Sequence, residues 1–94
     1  MVHSNKYTKD EFFTEWNLIA QEFHKNPDNI LTKAMIESVL ITHNLPPAFI
    51  QAHFLPMMDY CDGKKISEID EDVIEEYAQE IFQRACDQGI ATTE

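Results

Sequence analysis

The sequence predicts an all-α domain of four helices in two helix-loop-helix pairs, and three observations carry that expectation. Apolar residues recur at helical spacing in successive segments. Only two glycines and four prolines are present, and all but Pro56 fall between those segments or at their ends. An apolar fraction of 44% with 11% aromatics suits a packed globule rather than a disordered tail. At 94 residues this is one domain with an ordered core over about residues 8 to 89.

Residues 1 to 7 are polar and are expected to fray. Thr8-Lys9-Asp10-Glu11 fits a capping box, so the first helix should begin at Thr8. Phe12, Trp16, Ile19 and Phe23, with Phe13 and Ala20 beside them, form one broad apolar face, expected to be buried core. His24 to Asn29 stops this helix, because Pro27 disfavours helical geometry in the residue before it and Asp28-Asn29 supplies turn chemistry. Thr32 then caps a second helix carrying Met35, Ile36, Val39 and Leu40 and ending near Asn44, a residue that tolerates the left-handed conformation.

Leu45-Pro46-Pro47 is a stiff connector into a third helix through Phe49, Ile50, Phe54, Leu55 and Met58. Pro56 lies inside it and should kink or break it near Leu55, because proline removes a backbone donor and its ring collides with the preceding turn. The last helix should start around Ser67 to Asp70, with Asp70, Glu71 and Asp72 at its positive end. Ile74, Tyr77, Ala78, Ile81, Phe82 and Ala85 form its buried stripe, Gly89 closes it, and residues 91 to 94 are expected to be loose.

The net charge of −10 is uneven: residues 59 to 94 hold eleven acids and three bases, residues 1 to 58 six acids and four bases. A field of this sign repels phosphate backbones and favours basic partners or cations, so direct nucleic-acid binding is not expected. Acids that merely keep a small protein soluble would look the same. No apolar run approaches a membrane span and the first residues lack a signal-peptide core, so a soluble, cytoplasmic protein is expected. Cys61 and Cys86 are then expected to be free thiols.

Catalysis finds little footing. His24, His43, His53, Cys61 and Cys86 show no paired short spacing of the kind that binds zinc. Cys61 follows an acidic residue, Asp59, and precedes another, Asp62, which raises a thiol's pKa and works against its pairing with His53 as nucleophile and base. No glycine-rich phosphate cradle is present, and the chain is read as a non-enzyme.

The loop-to-helix junctions Leu31-Thr32 and Ile66-Ser67 each follow an apolar helix and a polar turn, the second within Asp59-Tyr60-Cys61-Asp62-Gly63-Lys64-Lys65-Ile66-Ser67-Glu68-Ile69-Asp70. Over about residues 10 to 85 this resembles an EF-hand pair of the calmodulin and myosin light-chain type. The resemblance implies that Leu31 and Ile66 meet in a small sheet contact between the loops. It also implies calcium ligands at fixed loop positions, and the residues there are poor ones. A twelve-residue loop from Asp59 places Cys61 and Gly63 where side-chain oxygens are needed and Lys64 where the turn glycine belongs. The loop from His24 to Met35 offers only Asn26, Asp28 and Thr32. No cofactor is therefore expected beyond weak calcium at Asp59, Ser67 and Asp70.

Degenerate members of that family resemble adaptors, which implies a protein-binding module clasping a basic or amphipathic helix of a larger protein. Met35, Met57 and Met58 with Phe54, Tyr77 and Ile81 are the expected groove, although methionines at helical spacing serve equally as core. Glu75, Glu76 and Glu80 would steer a basic partner. The alternative is a small acidic four-helix inhibitor or immunity-type protein that blocks a cationic, nucleic-acid-binding surface. A homodimer covering the groove also stays open.

Overall fold

The computed structural model describes residues 6 to 93. Thr8 caps the first helix as the sequence predicts: its Oγ1 accepts from the Glu11 amide at 3.2 Å, and the Thr8 amide donates to Glu11 Oε1 at 2.9 Å. The described residues form α1 (Lys9–His24), α2 (Lys33–Thr42), α3 (Pro47–His53), α4 (Leu55–Cys61) and α5 (Glu71–Asp87), with a 3-10 turn at Ile66–Glu68 before α5. They are all-α, but with five helices where the sequence reading has four.

The difference is Pro56. The expected third helix divides at Phe54, whose amide still donates to Ile50 O while its carbonyl accepts from the Met58 amide. Pro56 thereby sits in the first turn of α4, where no amide is needed. Two helix ends share one closing device. Asn44 (φ 69) and Gly89 (φ 75) adopt the left-handed conformation, and the next residue's amide reaches back to Leu40 O in α2 and Ala85 O in α5. Asp70 caps α5 by accepting from the Asp72 amide.

Helices α2, α3 and α4 pack together, and α1 lies against α5 and the 3-10 turn. The core between them is entirely apolar among the described residues, with Phe54, Leu40 and Ile50 the largest fully buried side chains. An aromatic chain crosses it: Phe12 lies 5.2 Å from Phe82 and 6.0 Å from Trp16, and Trp16 lies 5.9 Å from Phe54.

A short antiparallel contact joins the two loops. Ile30 and Lys65 form the bridge, flanked by bonds from the Leu31 amide to Lys64 O and from the Ile66 amide to Asn29 O. The paired residues thus fall one position before Leu31 and Ile66 in each loop. The period-two alternation of extended backbone explains the shift, since Leu31 and Ile66 turn inward to the core while Ile30 is exposed. Gly63 (φ 79) makes the turn that brings its own amide to Leu31 O.

The expected loose ends are corrected in part. Tyr7 pairs in parallel with Ala91: the Tyr7 amide donates to Ile90 O at 2.9 Å and the Thr92 amide to Tyr7 O at 2.8 Å. Ala91 is buried, because the turn at Gly89 reverses the chain onto the start of α1. The fraying expected of residues 1 to 5, and the looseness expected of Glu94, lie outside the described residues. Replacing Ala91 by aspartate would bury an unpaired charge, and should cost about 2 kcal/mol and lower the thermal midpoint by roughly 10 °C, read by calorimetry.

Candidate functional site

The second half of α1 packs against the core, as its apolar stripe predicts, without being fully covered. Phe12 is buried, and Trp16, Ile19, Ala20 and Phe23 are partly buried. This half of the stripe also walls a groove. Phe54, Met57 and Cys61 line it from the α3–α4 side, Ile36 and Leu40 from α2, and Leu31, Ile66 and Ile69 from the paired loops. Ile74 of α5 and His24 of α1 complete the lining. The groove encloses about 610 Å³, most of it open to solvent.

Phe54 and Met57 of the expected groove do line this one, but the other residues lie elsewhere. Met58 and Ile81 are buried in the core, and Tyr77 is half-buried with its ring 6.2 Å from that of Tyr60. Met35 is exposed on α2, where the Thr32 cap accepts from its amide. Glu75, Glu76 and Glu80 are exposed on α5. Sequence reasoning missed Trp16, Ile19 and Phe23 as groove residues because an aromatic stripe is ordinarily core. Spacing alone carries no signal that separates a groove wall from core on such a stripe.

The charge near the groove is acidic on the α5 side. Glu68 adjoins the lining residue Ile69, and Asp70 and Glu71 lie one helical turn before Ile74, all three exposed. Cys61 is a free, buried thiol whose pKa is pushed up by burial, with Lys64 opposing. Burial, rather than the neighbouring acids, is thus the main cause. A thiol held protonated in an apolar wall packs as a small hydrophobe and is a poor nucleophile. Lys64 lies over the Tyr60 ring and donates to the Tyr60 carbonyl.

The calcium candidates do not assemble a cation cage. Asp59 lies inside α4 and pairs with Lys33, the Asp70 carboxylate accepts from its own helix, and Ser67 belongs to the 3-10 turn. Asp62 Oδ1 accepts from the Lys33 amide, which fastens the second loop to the start of α2. No group of three or more His, Cys, Asp or Glu among the described residues could hold a metal ion. No helix among them is long and apolar enough to cross a membrane. Compared with known proteins, the chain matches no family model, no curated protein and no solved structure.

Proposed function

We propose that the chain is a non-catalytic protein-binding module, an EF-hand-like lobe without tight calcium binding, whose groove receives the apolar face of a basic amphipathic helix from a larger protein. The groove itself is the observation that carries this. It is long enough to be walled by two turns of α1 and nearly free of polar lining, and the exposed Glu68, Asp70 and Glu71 lie within four residues of its lining residues Ile69 and Ile74 in sequence. An apolar helix face would fill the trough while lysines or arginines on its flank meet those carboxylates. The antiparallel contact between the loops is what supports the EF-hand-like part, although Ile30 and Lys65 pair one position before the Leu31 and Ile66 that the resemblance implies.

A synthetic amphipathic leucine–lysine peptide tests this directly. Trp16 is the only tryptophan, so its emission should shift to the blue on binding, with methyl NMR shifts at Met57 and Ile74. Affinity should weaken with added salt without vanishing, because only the rim contacts are screened. Equal binding of a leucine–glutamate peptide, or shifts that avoid the groove, would sink the proposal. Shifts confined to the outer face of α5 would instead favour the acidic inhibitor, a reading supported by the exposed Glu75, Glu76 and Glu80.

A further inference from the structure

A polar link between α1 and the end of α2 is made by His43. Its Nδ1 lies 2.8 Å from Glu15 Oε2 and its Nε2 lies 3.3 Å from Glu22 Oε2. The two glutamates stand two turns apart on one face of α1, so the ring lies along the helix between them. A neutral imidazole has one N–H, and its other nitrogen would turn a lone pair towards a carboxylate oxygen. Only the imidazolium donates to both.

We propose that His43 is a proton-operated clasp: protonated, it bridges Glu15 and Glu22 and holds α1 onto the α2–α3 corner, and on losing its proton it releases one glutamate and loosens the groove wall. The connection to the wall is direct. Trp16 and Ile19 line both the groove and a smaller cavity that His43, Glu15 and Leu45 share with them. The clasp belongs to the free protein and does not depend on what the groove binds.

The groups facing His43 agree in sign. Glu15 and Glu22 face it from α1, and Tyr7 from the preceding segment donates its hydroxyl to the His43 carbonyl at 3.3 Å. Leu45 of the connector adds no charge. The Glu15 hydrogen bond, reinforced by Glu22 and opposed by desolvation, raises the His43 pKa above its ordinary 6.5. Burial, then Glu15 and Glu11, raises that of Tyr7, which stays a neutral donor. A raised folded pKa means that the clasp's stabilisation is fully present below about pH 6.5 and is lost as pH rises through the folded value. The glutamate side chains are 37% and 50% exposed, so solvent screens the pairs and the effect is local to α1 rather than global.

The test is a titration from about pH 5.5 to 8.5, the range in which histidine changes charge, at constant ionic strength. The His43 ring is followed by NMR and Trp16 by acrylamide quenching. His43 should titrate at higher pH in the folded protein than in the urea-unfolded chain, and Trp16 should become more accessible over the same interval. Glu22→Gln should lower both midpoints together, and His43→Gln should abolish the Trp16 transition. Coincident folded and unfolded midpoints, or a Trp16 transition that survives in His43→Gln, would overturn the clasp. Should His43→Gln fail to fold, Glu22→Gln decides alone, and an unmoved His43 midpoint in that variant is fatal to the idea.

Discussion

Phe54→Ala is expected to destabilise the chain by about 3–5 kcal/mol, a large part of the roughly 5–14 kcal/mol that a domain of this size possesses. Phe54 is 0% exposed, stacks on Trp16 at 5.9 Å and meets Phe49 edge-on at 6.0 Å. It also occupies the break between α3 and α4, so the deleted ring leaves a cavity at the junction of two short helices. Neither helix is long enough to be stable alone. Phe54→Leu keeps most of the volume and should cost under about 1.5 kcal/mol. Urea denaturation gives both numbers, with an unchanged slope showing that two-state unfolding is retained. A loss below about 1 kcal/mol in the alanine variant would mean that Phe54 is not the centre of the core.

Phe23→Ala should weaken binding of the leucine–lysine peptide about thirtyfold, the equivalent of roughly 2 kcal/mol for a hot-spot aromatic. Phe23 stands at the end of α1, half-buried and lining the groove. Because its ring is already partly in water, truncation removes less folding energy than at Phe54, and helical circular dichroism should be retained. Calorimetric titration reads the affinity. Unchanged affinity in a folded Phe23→Ala protein would move the partner off this groove.

Local chemistry made much of this structure legible. Thr8 and Glu11, Thr32, Asp70, Asn44 and Gly89 each act within a few residues of themselves, so the helix ends can be read without knowing the rest of the fold. Pro56 belongs to the same kind, since its missing amide acts within one turn. What escaped depends on partners far along the chain. Nothing around Tyr7 marks Ala91 as its neighbour, and nothing around His43 marks two glutamates on α1. The groove escaped for a related reason. Periodicity identifies the apolar face of α1 but not how much of that face the rest of the chain covers, which depends on contacts distant in sequence.

The Tyr7–Ala91 pairing also bears on the order of folding. It closes nearly the whole described chain into one loop, whereas the contacts among α2, α3 and α4 are local. Loop-closure entropy rewards the local contacts first, so the central helices should form the nucleus and the Tyr7–Ala91 seam should zip last. An interaction absent from the transition state affects only the rate of escape from the native state. Weakening the seam at Ala91 should therefore accelerate unfolding in a chevron experiment and leave the refolding limb where it was.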